Sequence, residues 1–190
     1  MIRLSRDTWL DAALGVLVDE GPEALTVDRL CRATAKTKGS FYHHFPGGAA
    51  DLVEQLLAHF RRRHFDAVAP PAAARRDPSA QHVALDEASL RLDGRVERAL
   101  RAWALREPRV AAALRALDEQ RLVVLADLLV REAGLSRREA NDRAAIEYAA
   151  FVGFVAVFPD ADPRWAARLA AKLRGWVLQP PASAARRSAR

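Results

Sequence analysis

Ten consecutive residues, KTKGSFYHHF from Lys36 to Phe45, bring together two ammonium groups, two hydroxyls, a phenol and two imidazoles around one glycine. Three kinds of chemistry use such groups: metal binding, acid–base catalysis and the gripping of a polyanion. Neighbouring residues on a helix point about 100° apart, so His43 and His44 do not readily share one ion. The other histidines, His59, His64 and His82, and the single cysteine, Cys31, offer no ligand spacing with them. No metal site and no cofactor are expected. Catalysis needs a nucleophile near a base, paired carboxylates or a phosphate-cradling glycine loop. Gly47-Gly48 is too short for that loop and lacks a following Lys-Ser/Thr. The chain is therefore read as having no catalytic residues and not being an enzyme. What remains is a surface that lies against a polyanion.

Short helices are expected to position this surface. A first helix begins after Ser5, an N-cap type, and carries Leu10, Ala13, Leu14, Leu17 and Val18 at helical spacing. Gly21 and Pro22 stop it. Thr26 caps a second helix, VDRLCRATA, with Val27, Leu30 and Cys31 inward. Thr37 caps a third, KGSFYHHF, which ends at Pro46-Gly47-Gly48. Two short helices joined at Thr34-Ala35-Lys36 and braced by a longer one form a helix-turn-helix pattern. In that arrangement the second short helix enters the major groove, and its N-terminus offers free N–H groups and a positive dipole end to phosphate. Lys36, Thr37, Lys38 and Ser40 sit at that end, and Gly39 permits close backbone approach. Tyr42, His43 and His44 are placed to donate to phosphates, while Phe41 and Phe45 point inward.

The 190 residues are 51% apolar and rich in alanine, leucine and arginine, with few β-branched runs, which predicts an all-α chain. One cysteine allows no internal disulfide and suits a reducing compartment. The first residues lack the apolar run of a signal peptide, and Ala144 to Phe158 is too short to span a membrane and contains Glu147. A soluble cytoplasmic protein is expected. The net charge is +6, yet residues 1–69 hold nine Lys/Arg and nine Asp/Glu. Basicity alone therefore does not argue for nucleic acid; the placement of the charges does.

The run LDAALGVLVDEGPEALTVDRLCRATAKTKGSFYHHFPGGAADLVEQLL resembles the DNA-binding domain of the TetR family of bacterial transcriptional regulators, most specifically at TKGSFYHHF. The remainder is more loosely similar. The resemblance implies an all-α homodimer with an N-terminal three-helix DNA-binding domain and a C-terminal helical ligand-binding and dimerisation domain, about nine helices in all. It implies a repressor bound to a double-stranded DNA operator and released by a small molecule. By the same resemblance Thr26 touches phosphate, Thr37, Lys38, Gly39 and Ser40 start the recognition helix, and Tyr42, His43 and His44 contact the DNA backbone. Three positions depart from the family pattern. Ala35 stands where the turn usually has glycine, Lys36 where a small apolar residue is common, and GGAA at 47–50 where a lysine is often found.

The expected division is a helix-turn-helix domain over 1–50, a linking helix at about 49–69, a ligand-binding and dimerisation domain over 51–178, and a flexible tail over 179–190 that carries Arg186, Arg187 and Arg190. The stretch APPAAARRDPSA breaks the helical pattern. Asp77-Pro78, Asp162-Pro163 and Ser136-x-x-Glu139 read as helix starts. Arg61, Arg62 and Arg63 are expected to complement a helix end or stay solvated. Candidate walls of a ligand pocket are Leu100, Trp103, Val110, Leu114, Leu117, Leu125, Tyr148 and Phe151, which suit a hydrophobic or aromatic effector. The helix from Ser136 to Phe158 is apolar almost all round in its second half, so it needs two burial partners. Val152, Val155, Trp165, Leu169, Leu173 and Trp176 are the candidate dimer interface. The competing reading is a helical protein–protein interaction module with a degenerate helix-turn-helix, favoured by the neutral charge of residues 1–69.

Overall fold

The computed structural model describes residues 5–180, in which helices alternate with short turns and no strand occurs. The tail arginines Arg186, Arg187 and Arg190 lie outside the described residues. Helix α1 (Arg6–Glu20) starts at Ser5, whose hydroxyl accepts from the Thr8 N–H, and stops at Gly21. Gly21 has φ 85°, a conformation glycine adopts without steric penalty. A 3-10 turn (Pro22–Ala24) leads to α2 (Val27–Thr34) and α3 (Lys38–His44). Helix α4 (Ala49–Arg61) continues into a π turn (Arg62–Asp66). Then come α5 (Ala69–Ala73), α6 (Pro78–Leu90), α7 (Gly94–Ala104), α8 (Pro108–Ala133), α9 (Arg137–Val157) and α10 (Pro163–Val177). The stretch expected to be irregular holds the single-turn helix α5. The caps at Asp77, Ser136 and Asp162 form as the sequence suggests: each side chain accepts from an N–H of the helix it starts. Glu139 does not close a capping box but pairs with Arg143 Nε at 2.7 Å.

The chain folds as two compact units. The first runs up to Asp66 and takes in Asp93–Ala116; the second comprises Ala67–Leu92 and everything from Leu117 onward. In the first, α1 packs on α2, α4 and α7. Its core holds Trp9, Leu10, Ala13, Leu14, Val16, Leu17, Leu30, Phe41, Phe45, Leu52, Leu56 and Phe60. Val18, Val27 and Cys31, expected inside, are only half-buried, whereas Trp9 and Val16 are buried instead. Helix α2 is short, packs on α1 and α3, and buries Leu30 alone. In the second unit, α6 packs on α5 and α10, and α9 on α10. Leu125, Ala126 and Leu129 of α8, Leu135, Ala140 and Ala144 of α9 and its approach, and Val177 of α10 make its centre.

Candidate nucleic-acid interface

Local hydrogen bonding fixes the hinge between α2 and α3. Ala35 is left-handed (φ 53°, ψ 41°), the only non-glycine with positive φ among the described residues. The Lys36 N–H donates to the Cys31 carbonyl at 3.0 Å, and the Ala35 N–H donates to the Arg32 carbonyl at 3.3 Å. These two bonds are a Schellman closure, which normally uses glycine at this position. The turn thus closes with alanine against its steric preference. Ala35→Gly is expected to stabilise the protein by about 0.5–1 kcal/mol, the relief of the left-handed strain less the entropy glycine adds to the unfolded chain. A urea titration read at constant m checks it, and an unchanged midpoint would refute it.

Helix α3 follows directly. Thr37 accepts from the Ser40 N–H through its hydroxyl, and Thr26 does the same for Arg29 at the start of α2. Both candidate DNA-contact threonines are therefore N-caps, exposed and held by the helices they start. An edge-to-face contact of Phe41 with Trp9 (centroids 5.6 Å apart) and a tilted contact with Phe45 (5.0 Å) seat α3 on α1. Phe41 and Phe45 are fully buried, as their inward placement requires. With that side fixed, Lys38, Gly39, Tyr42 and His43 are exposed, and Lys36, Ser40 and His44 are half-buried. Tyr42 rests its ring edge-on against Phe41 and remains half-exposed. The imidazoles of His43 and His44 meet in a T-shaped contact at 5.2 Å. All nine candidate DNA residues except Thr26 thus lie on the turn and on one short helix, and Thr26 caps the helix preceding it.

Electrostatics modify this surface. Lys38 Nζ lies 2.7 Å from Asp28 Oδ1 on α2. The hydrogen bond to Asp28 raises the Lys38 pKa, and the same bond lowers that of Asp28. The cation expected to face DNA therefore has a carboxylate partner in the free chain. Cys31, between them on α2, has its thiol pKa pushed up, first by burial and then by the charge of Asp28. Arg62 and Arg63 point the other way: they pair with Asp7 and Asp11 of α1 at 3.5 and 2.7 Å, and Arg61 pairs with Asp66. His59 is buried beside them, bonded to Asp11 at 2.8 Å. These acids explain the neutral balance of the first segment: part of it is an ion-pair layer between α1 and the end of α4.

The other candidate residues divide between the units. Leu100, Trp103, Val110 and Leu114 belong to the first, and Leu117, Leu125, Tyr148 and Phe151 to the second. Trp103, Tyr148 and Phe151 are half-buried and the other five buried. The Tyr148 hydroxyl donates to Asp118 and accepts from Arg121, each at 2.6 Å. A crevice of about 580 Å³ opens in the first unit, lined by Ser5, Arg6, Asp7, Gln55, Ala58 and Arg62; none of the candidate ligand residues lines it. Among the candidate dimer residues, Trp165 meets Phe154 in a tilted contact and Phe158 edge-to-face within the chain, and Leu173 packs against the centre of the second unit. Val152, Val155 and Leu169 are half-buried, and Trp176 is 65% exposed. From Ala145 onward the exposed side of α9 carries Ala145, Ile146, Ala149, Ala150, Ala156 and Val157 and no charge, while Arg138 and Asp142 are exposed on the same side nearer its start. This face belongs to the second half of the helix that the sequence marks as apolar almost all round, and its alanines are not among the residues singled out there.

Comparison with known proteins agrees with this geometry. Residues 10–56 match the model of bacterial regulatory proteins of the tetR family. Among curated proteins none matches the chain. The fold is similar to a transcriptional regulator from Rhodococcus sp. Rha1, with TM-score 0.73, 21% identity, and 93% of this chain and 97% of that chain covered. It is also similar to a TetR-like transcriptional regulator from Rhodococcus sp. RHA1, with TM-score 0.73, 18% identity, and 94% and 100% covered. The ketosteroid transcriptional regulator KstR2 of Mycobacterium tuberculosis aligns with TM-score 0.65 and 18% identity over 94% of this chain and 95% of its own. No helix among the described residues is long and apolar enough to cross a membrane.

Proposed function

We propose, for a chain whose residues 10–56 match the tetR family of bacterial regulatory proteins, the function of a sequence-specific transcriptional regulator that binds operator DNA as a homodimer. The observation that carries this reading is the capped, aromatically seated α3, whose exposed side presents Lys38, Gly39, Tyr42 and His43. A two-fold dimer supplies two such helices for two half-sites about one DNA turn apart. The uncharged exposed stretch of α9 from Ala145 to Val157 and the exposed Trp176 of α10 support pairing of these helices with a second copy. The family's common case further supports a cytoplasmic repressor that a hydrophobic or aromatic effector releases. In that mechanism the effector binds one arrangement of the dimer better than the other and draws the population away from the operator. On this reading no metal or cofactor takes part in DNA binding.

Purified protein titrated into its own gene's upstream duplex tests this by fluorescence anisotropy at several salt concentrations with excess unrelated DNA. Tight binding that survives the competitor is expected. Lys38→Ala is expected to weaken binding to every duplex and to flatten the salt dependence by about one unit per half-site, the signature of one lost phosphate contact. An unchanged slope would remove Lys38 from the interface. Weak, indiscriminate binding to all genomic fragments would favour a protein–protein interaction module instead.

A further inference from the structure

The second unit buries a group of ionisable side chains contributed by four helices. His82 of α6 is fully buried. Its Nδ1 lies 2.7 Å from Glu132 Oε2 on α8, and its Nε2 lies 2.6 Å from Glu147 Oε1 on α9. One helical turn beyond His82, Asp86 pairs with Arg174 of α10. Ligand atoms of His82, Asp86 and Glu147 all fall within 4.8 Å of one another. The second oxygen of Glu147, Oε2, is buried with no hydrogen-bond partner, on a residue only 6% exposed. A bare buried carboxylate oxygen is costly, and an ion-pair network built for stability alone would satisfy it.

We propose that His82, Asp86 and Glu147 bind one first-row divalent transition-metal ion, with Zn²⁺ the best-fitting probe, and that Glu132 is the positioning residue. The proposal is independent of the DNA-binding reading. Glu132 holds the Nδ1 side of the imidazole, which leaves Nε2 to face the ion, as the carboxylate partner of a metal-bound histidine does. The i,i+4 spacing of His82 and Asp86 puts both on one face of α6, and Glu147 supplies the third ligand from α9. Charge also favours a cation. With a proton on each ring nitrogen of His82, three carboxylates (Glu132, Glu147, Asp86) face two cations (His82, Arg174), leaving one negative charge in excess. A divalent ion that takes the place of the Nε2 proton, which leaves to solvent, removes that excess. Around a tetrahedral ion with bonds of about 2 Å the ligand atoms stand roughly 3.3 Å apart. The His82–Glu147 distance must therefore open by less than an ångström from 2.6 Å, while the widest separation, within 4.8 Å, closes. One imidazole among carboxylates selects Zn²⁺, Co²⁺ or Fe²⁺ over Mg²⁺ and Ca²⁺, which prefer oxygen alone.

Chelator-treated, desalted full-length protein is titrated with Zn²⁺ by calorimetry and with Co²⁺ by visible absorption, without DNA. One Zn²⁺ per chain, a Co²⁺ ligand-field band and no competition by Mg²⁺ are expected. Glu132→Gln is expected to weaken binding by about 10–100-fold, as loss of a histidine-orienting carboxylate does. His82→Ala and Glu147→Gln are expected to weaken it further. Glu147→Gln keeps the side chain's size, so it serves if His82→Ala does not fold. Should neither fold, Co²⁺ added to the unaltered chain must shift the ring resonances of His82 among the five histidines. No Co²⁺ band, unchanged affinity in folded Glu147→Gln, or shifts confined to another histidine would overturn the site.

Discussion

Phe41→Ala is expected to lower stability by about 3–5 kcal/mol, the range for deleting a buried phenylalanine, and to abolish operator binding. Phe41 has no exposed surface and sits between Trp9 of α1 and Phe45, with Tyr42 edge-on beside it. Removing the ring leaves a hole under α3 that the backbone cannot readily fill, because the Schellman turn and the Thr37 cap just before α3 fix the path on which it starts. Helix α3 has seven residues, too few to persist without tertiary contacts. Denaturant midpoints and DNA anisotropy on the same samples check the prediction. Phe41→Leu nearly preserves the volume and is expected to cost under about 1.5 kcal/mol and keep most of the binding. An alanine variant with the parent's midpoint would show that the ring does not hold the helix.

The helix starts and the short helix α3 were legible in the sequence because they depend on neighbours within a few residues. Ser5, Thr26, Thr37, Asp77, Ser136 and Asp162 cap the helices assigned to them, and each bonds an N–H three residues on. Phe41 and Phe45 were legible through their spacing. The buried polar groups were not. His59 finds Asp11 from 48 residues away, and His82 finds Glu132 and Glu147 from 50 and 65 residues away. No periodicity records such pairings. The HxxxD spacing of His82 and Asp86 was visible, but a histidine and an aspartate one turn apart on an amphipathic helix are ordinary until a third group is shown to face them. The partnership of Lys38 with Asp28 crosses two helices and was equally invisible.

The same buried cluster sets the second large effect, in chelator-containing buffer so that no metal intervenes. Raising the pH from 7 to 9.5 is expected to lower stability by about 2 kcal/mol through His82 alone. Burial by itself would pull the His82 pKa down. The bonds to Glu147 and Glu132 and the charges of Glu147 and Asp86 outweigh it and push the pKa up to about 9. A group whose folded pKa is raised contributes stability that is fully present below its unfolded value, near 6.5, and is lost as pH rises through the folded value. Asp86 has the same sign in a lower window. Burial first, with Glu147 adding, pushes it up to about 6 against the charges of His82 and Arg174, so its contribution is already lost by pH 7. Between pH 7 and the ordinary thiol range the slope therefore belongs to His82, and above it the raised Cys31 thiol adds a loss of the same sign. His82→Gln is expected to flatten the slope in the first of these ranges, and a variant that keeps the parent's slope there would assign the effect to another group.

The first unit is not continuous along the chain. It leaves after Asp66 and is completed by Asp93–Ala116, with α7 packed on α1 and Arg106 reaching Glu23 at 3.5 Å. During synthesis at about 5–20 residues per second, the fifty residues from Ala67 to Ala116 take roughly 3–10 s to be added. For that interval the nascent first unit has α3 but lacks the α7 side of its core, including Val96 and Leu100. The segment that would grip DNA is thus finished only after much of the chain beyond it has been made. Expression of residues 1–66 alone would leave that incomplete state permanent.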